Sequence, residues 1–577
     1  MKRKFISGSL ALIVALGCMA GCGVEVGPTE KDNISYLYVS TNSGGFGKGF
    51  LEVVEAKFEE KYAQTPFAEG KMGVDVVVDQ ASTNSGGTLI NNIANSSTNV
   101  FVVEGMYTTN YVAKNYLYDL SELVSSALDD GKTLESKMFN DQKAALKAIN
   151  DKYYSLPVFA GFNGVTYDKA LFADNDLYFA DANGFKPYTT STYTGVAYTG
   201  RGFVSAANTK KSPGPDGKYD SYDDGLPSSY EEFFYLLERM SNKSIVPFIW
   251  GGGANTHYQN YLFQSLLMCN SSKTELSTNF TFNSGDEEIE IIKSFDSDGN
   301  PEYSYEKIND DNGYLITQSS NKYQALKFLQ NLFKNSKYYH SDSVSGNLTN
   351  AMAQKVYEES SLIGNTPIAM LIEGNYWCNE AAAELKESEQ YPNGKNRQFA
   401  YMPLPAVENG TINENEGNNI ALADCLDYYL VVNNNIAKNK EKKQLAEAFV
   451  KMMYSDECLQ AMTAEVGVPF ALKYEMGESY YNQMSVYEQS VWDIYDFSKD
   501  NDAYVTPQSA NEIFLSNTAR FSFKTTQMLF HTYIDGIEYS VPYQAFSSAG
   551  KGASAREYFV GMAVSLNDWS SKYNTKK

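Results

Sequence analysis

The sequence predicts a two-lobed α/β protein, on three observations. Strand-like and helix-like stretches alternate through the first part of the chain, 577 residues can bury more than one core, and the strands run into small, polar turns. "ISYLYVS" (34–40) is the first strand. In "FLEVVEAKFEEKY" the apolar Leu51, Val54, Phe58 and Tyr62 recur at helical spacing. "VDVVVD" returns to strand, "TLINNIAN" is a short helix, and "VFVVE" is a buried strand. Such alternation predicts parallel strands with crossover helices, and a ligand crevice beyond the carboxyl ends of the strands. Those ends are TNSGGFG (41–47), QASTNSGG (80–87) and EGMY (104–107), with Phe46 and Tyr107 as their aromatic residues. Taken singly, each is also an ordinary turn.

The amino terminus sets the compartment. Met1-Lys2-Arg3-Lys4, a short apolar stretch from Ile6 to Met19, and then "MAGCG" have the layout of an export signal. The apolar stretch falls short of the about 20 residues that span a bilayer. Met19-Ala20-Gly21-Cys22 resembles a bacterial lipobox, so residues 1–21 are expected to be removed and Cys22 to carry the lipid. Cys18 fits less well, because the small Ala15 stands where a larger aliphatic residue is usual. Two acyl chains on one thiol suffice for stable anchoring. Residues 22–35 have no apolar period and form a flexible tether. The expected location is extracytoplasmic, at the membrane surface.

Charge and missing motifs exclude several functions. A formal charge of −23 argues against nucleic acid or anionic lipid as partner. Cys269, Cys378, Cys425 and Cys458 are far apart, so buried thiols or a single disulfide are the two readings. His257, His340 and His531 form no zinc pattern. "GGFGKG" fails as a phosphate loop, because Gly49 stands where Ser or Thr should hold magnesium. No GxSxG elbow occurs. With 70 acidic residues some carboxylate pair is inevitable, and none is singled out as a hydrolytic pair.

The stretch "IAMLIEGNYWCNEA" (368–381) places one of four tryptophans just after a buried strand has broken at Gly374. Either the Trp377 ring fills a gap between packed elements, or it faces something arriving from outside. Trp250 follows the strand "IVPFI" and precedes Gly251-Gly252-Gly253, a similar context. An indole is flat and apolar with one N–H, which suits the C–H face of a sugar ring.

A series of stretches resembles, in order, the extracellular solute-binding proteins that serve bacterial ABC sugar importers. "LPVFAGFNGVTYDKALF" is similar to their interlobe crossing. "GGFGKGFLEVVEAKFEEKY" resembles the first strand-to-helix turn, and "FVVEGMYTTNYVAKNYLYDLSELV" the third strand and its helix. "PFIWGGGANTHYQNYLFQSLL", "IAMLIEGNYWCNEA" and "YMPLPAV" resemble the mid-chain aromatic turn, the Met-x-x-x-Gly-x-Trp turn and the return strand. "NKEKKQLAEAFVKMMYSDECLQ" is similar to the helix before the second return. The resemblance implies a two-lobe periplasmic-binding-protein type II fold, each lobe a mixed or parallel sheet flanked by helices, with the ligand cleft between them. It implies crossings near Pro157–Phe162, Met402–Pro405 and Met453–Glu457. The first lobe is then 36–157 with 403–455, and the second 163–400 with 458–577.

The expected ligand residues are Trp377, Trp250, Tyr107, Tyr376, Asn42, Phe46, Glu104, Asn163 and Glu373, without catalytic residues. The expected partners are a neutral oligosaccharide, the permease subunits of an ABC importer and, through the lipid, the membrane; the chain is expected to be a monomer. The alternative is a surface-anchored glycoside hydrolase. An adhesin would show repeats and an all-β pattern, which are not seen.

Relative to the family pattern the chain carries polar, turn-rich additions near 183–228, 275–320 and 387–418, and an extended Tyr-rich helical end from about Tyr474. The first addition gathers Asp216, Asp220, Asp223 and Asp224, either a calcium loop or an exposed acidic turn before a helix capped by Ser228. It fails the EF-hand pattern at Ser221. No cofactor is required; calcium is the one candidate.

Overall fold

The computed structural model describes residues 31–573 except 32, 43, 107, 148–149, 184–200, 205–209, 253–256, 345–347, 361, 363–364, 392–393, 403, 406–421, 424–427, 506–531, 540–541 and 548–550. The signal stretch, Cys22, Tyr107, Cys425 and parts of the expected additions lie outside the described residues.

In chain order the strands of the two main sheets are β1 (Ser35–Thr41), β2 (Val74–Gln80), β3 (Val100–Glu104), β4 (Leu156–Pro157), β5 (Asn163–Asp168), β6 (Val246–Ile249), β7 (Ile368–Gly374), β8 (Phe399–Met402) and β9 (Tyr428–Val432). The helices that matter here are α1 (Gly49–Tyr62), α2 (Leu89–Asn95), α3 (His257–Asn270), α4 (Asn350–Glu359), α5 (Trp377–Glu380), α6 (Lys440–Met453), α7 (Asp456–Val466) and α8 (Val486–Asp500). The five elements read from periodicity between residues 34 and 104 all form. β1 pairs in parallel with β2 and β3, and α1 buries Leu51, Val54 and Phe58.

The first sheet has the order β2-β1-β3-β9-β4 and the second β8-β5-β7-β6. Each is mixed, because β9 runs antiparallel to β3 and β4, and β5 antiparallel to β7 and β8. Two large apolar cores follow. One lies around the first sheet and reaches Trp377 and Tyr401 at the lobe junction; the other fills the second lobe around Phe233, Phe328 and Met370. Among the described residues, no helix is long and apolar enough to cross a membrane.

The first crossing, Val158–Phe162, runs from β4 of the first sheet to β5 of the second. Alongside it runs Val468–Leu472: Ala160 N–H donates to Pro469 O (2.7 Å) and Ala471 N–H to Val158 O (2.8 Å). The expected return near Met453–Glu457 is corrected by this pairing. α7 stays with the first lobe, packed on α1, and the chain leaves only at 468–472 before α8 packs on β8. The periodic stretch alone could not show which sheet α7 covers. The remaining crossing falls between Met402 and Tyr428.

The addition expected as turn-rich chain at 275–320 is folded. Its hairpin, Glu288–Phe295 with Pro301–Lys307, turns Ile289 and Ile291 onto Phe282, Ile316 and the carboxyl-terminal Trp569. The helix after the acidic turn is capped one residue later than expected: Ser229 accepts from Glu232 N–H, and Glu232 accepts from Ser228 N–H (2.7 Å).

Candidate functional site

The carboxyl end of β1 and the end of β3 place Asn42 beside Glu104. One Asn42 amide group donates to Glu104 Oε2 (2.9 Å) and to the Tyr428 hydroxyl (2.9 Å), while the hydroxyl's own proton faces Asn42 Oδ1 (3.3 Å) and Glu104 Oε2 (3.4 Å). Burial, then Glu104, raises the Tyr428 phenol above its ordinary range, so it stays a neutral donor. A methyl group on Gly44 would come within 3.3 Å of both Asn42 Nδ2 and Tyr428 Oη, so glycine there lets the turn lie flat on the cluster.

The second lobe presents a matching arrangement. Glu373, at the end of β7, is 1% exposed and accepts from Gln354 Nε2 (3.0 Å) and from Gly374 N–H (3.0 Å). The same Gln354 amide, from α4, donates to Glu380 Oε2 (3.0 Å). Burial and the neighbouring Glu380 push the Glu373 carboxyl up to about 8, so it is protonated at neutral pH; Tyr258 of α3 hydrogen-bonds it as well. Asn163, at the start of β5, donates to Gln264 Oε1 (2.7 Å). Each lobe thus offers carboxyl groups held by a neutral amide. Among the described residues, no Lys or Arg pairs with Glu104, Glu373 or Glu380. Such acceptors and donors suit hydroxyl groups.

α5 brings the two sets together. Asn379 Nδ2 donates to Val466 O of α7 (2.6 Å), and a methyl group on Gly45 would lie 3.4 Å from Cγ of Glu380. Asn375 ties the turn to the first crossing: its Oδ1 accepts from Phe162 N–H (3.1 Å) and its Nδ2 donates to Ala160 O (2.9 Å). Tyr428, Gln354, Tyr258, Glu380 and Asn375 were missed by sequence reasoning. Glu380 and Asn375 lie in the quoted 368–381 stretch and Tyr258 in the quoted 247–267 stretch, whereas Tyr428 and Gln354 lie in none.

The aromatic expectations need correction. Trp377 is fully buried, edge-to-face with Phe399 (5.1 Å between ring centroids), Tyr487 (5.3 Å) and Tyr357 (5.9 Å). Trp250 is also fully buried, between Tyr339 (5.3 Å) and Phe333 (5.8 Å). Neither ring has a face open to a sugar. Phe46 stacks on Phe159 of the first crossing (4.1 Å), and Phe159 packs on Phe470 of the other (5.2 Å), so Phe46 belongs to the hinge. Tyr376 is half-buried with its ring over Gly374 and its edge toward Phe46 (6.1 Å).

The four aspartates do not fit a calcium ion. Asp223 accepts from Asp216 N–H (2.8 Å) and Ser221 Oγ (2.8 Å), Asp216 from Lys218 N–H (2.7 Å), and Asp224 from Asp220 N–H (3.0 Å). Carboxylate oxygens of Asp216, Asp223 and Asp224 are thus engaged by the loop's own donors, while Asp220 is exposed. Asp216 and Asp223 are buried against each other, which raises both carboxyls and favours a proton between them. No group of three or more His, Cys, Asp or Glu side chains able to hold a metal occurs among the described residues. Cys269, Cys378 and Cys458 are free thiols.

No curated protein matches the sequence. Several solved structures are similar over most of their length. The apo form of RafE from Streptococcus pneumoniae is 14% identical with a TM-score of 0.49, over 95% of this chain and 99% of that one. A chitin oligosaccharide binding protein is 14% identical with a TM-score of 0.48, over 94% and 99%. The maltose-bound MalE3 of T. maritima is 14% identical with a TM-score of 0.45, over 92% and 99%. The family model for bacterial extracellular solute-binding proteins matches residues 42–457, from the Asn42 turn through all of β9 and α6. The chain belongs to the bacterial extracellular solute-binding protein family.

Proposed function

We propose that the protein is held at the outer surface of the cell membrane by a lipid on Cys22, captures a neutral sugar, an oligosaccharide in the first instance, and hands it to an ABC importer. The observation that carries this reading is the pair of amide-held carboxyl clusters, Asn42–Glu104–Tyr428 and Gln354–Glu373–Glu380, at facing strand ends of two sheets joined by paired crossing strands. Carboxyl and amide groups without a paired cation accept from and donate to hydroxyls, and the excess of negative charge disfavours uronates and phosphates. Asn163 and Tyr376 border the same region and are further candidates for contact.

A ligand touching both clusters favours the closed arrangement, because only there are both sets of contacts made. Calorimetry of the chain without residues 1–22 against neutral and uronate-bearing oligosaccharides tests the reading, with chromatography of the recovered sugar. Binding of a neutral sugar returned intact is the expected result. Turnover would favour the glycoside hydrolase, and preference for uronates would refute the charge argument. Labelling with palmitate, lost in Cys22→Ala, checks the anchor.

A further inference from the structure

The second-lobe side of the candidate site rests on α3, which packs on β5 and β7. Its Gln264 Oε1 accepts from Asn163 Nδ2 (2.7 Å), Tyr258 hydrogen-bonds Glu373, and the Tyr258 and Tyr261 ring centroids lie 5.0 Å apart. Gln259, the next residue round the helix, is buried and serves another element: its Oε1 accepts from the Tyr543 N–H (3.1 Å).

Tyr543 belongs to the short helix Pro542–Phe546, in the chain beyond residues 42–457 that the family model matches. Its N–H lies in the first helical turn, where the helix has no carbonyl to offer, so Gln259 supplies the acceptor. The Tyr543 ring packs on Phe333 (5.7 Å between ring centroids) and Tyr339 (6.4 Å). The same two rings hold Trp250, at 5.8 and 5.3 Å, where the chain leaves β6 toward α3. Gly251 follows, so close to α4 that an added methyl group would stand 3.1 Å from the Asn350 backbone. One residue of the carboxyl-terminal addition therefore touches both α3 and the rings that fix the chain leading into it.

We propose that Tyr543 is a positioning residue for the sugar site: through Gln259 and the rings around Trp250 it fixes the first turns of α3, and with them Tyr258 and the Gln264–Asn163 pair. The carboxyl-terminal addition is then part of the frame of the site. The inference rests on the reading of that site given above, although the order imposed on α3 can be measured without any sugar.

Three variants separate the contacts. Tyr543→Ala empties the space beside Phe333 and Tyr339, and close-packed neighbours relax into such a hole. Gln259→Leu nearly keeps the volume and leaves the Tyr543 N–H without its acceptor. Tyr543→Phe keeps the ring and the N–H, and gives up only the hydroxyl, which meets that of Tyr339.

Hydrogen exchange of the chain without residues 1–22, free of ligand, tests the proposal on peptides covering 258–264, 542–546, 230–242 and 36–41. In Tyr543→Ala and Gln259→Leu the amides of 258–264 are expected to exchange about tenfold faster, with 230–242 and 36–41 at wild-type rates. Tyr543→Phe is expected to stay close to wild type throughout. Faster exchange confined to 542–546 overturns the proposal, and so does loosening that spreads to 230–242, the mark of a residue that only stabilises the lobe. Gln259→Leu decides if Tyr543→Ala does not fold. Affinity for any sugar found by calorimetry should fall about tenfold in Tyr543→Ala and return in Tyr543→Phe. Wild-type affinity in a variant with a loosened α3 would also overturn the positioning role. Absence of all sugar binding would refute the transport reading and leave the ligand-free result standing on its own.

Discussion

Replacing Trp377 by Ala separates the two roles open to this residue. A sugar-stacking ring would cost affinity and spare the fold, whereas the observed packing makes the ring a structural wedge. It is 0% exposed and touches three aromatic rings edge-to-face, from α4, β8 and α8. Such pairs contribute about 0.5–1.5 kcal/mol each beyond area burial, and core Trp-to-Ala truncations cost about 3–5 kcal/mol. The upper half of that range is expected here, because the partners sit on three elements that cannot all collapse into the hole. Trp377→Phe is the control. Nε1 of Trp377 has no hydrogen-bond partner among the described residues, so Phe sacrifices volume alone and should cost clearly less. Urea unfolding followed by circular dichroism, with the slope checked for constancy, gives both values. A Trp377→Ala protein with the wild-type urea midpoint and lost sugar affinity would refute the packing argument and restore the stacking role.

Three further outcomes are expected. Glu373 holds a proton to about 8 in the folded protein and releases it near 4.5 when unfolded, so the folded state binds the extra proton between those values and stability falls as pH rises through that window, by up to about 1.4 kcal/mol per unit. Glu373→Gln should therefore flatten the pH profile and melt above the wild type at pH about 8; parallel profiles would count against a buried neutral carboxyl. Arg397 and Asp168 form a buried ion pair (2.8 Å), and Arg397→Leu leaves Asp168 uncompensated at a cost of about 3–5 kcal/mol, read as a lowered urea midpoint; a change below about 1 kcal/mol would mean that water reaches the site. Saturating sugar should reduce the radius of gyration, and an unchanged radius would argue against motion about 158–162 and 468–472.

Periodicity and spacing sufficed for the elements whose identity is local. Leu51, Val54 and Phe58 form one buried helix face because residues three and four apart share a side of a helix, whatever else the chain does. The same holds for β1, β2 and β3, and for the break at Gly374. The family order was legible for a similar reason, since turns and strand ends keep their sequence when their partners are unknown. What a side chain meets in space was not. Trp377 looked outward from its turn because the quoted stretch does not contain Tyr487, Phe399 or Tyr357, which close over it from elsewhere in the chain. The Asn42–Tyr428 contact joins residues 386 apart, and α7 belongs to the first lobe because it packs on α1, far away in the chain. Local torsional and helical preferences act over a few residues, while burial and hydrogen-bond satisfaction act between whichever groups the fold brings within about 4 Å. The sequence by itself determined which segments are strand, helix and turn; the packing of segments distant along the chain decided which of their side chains face the cleft.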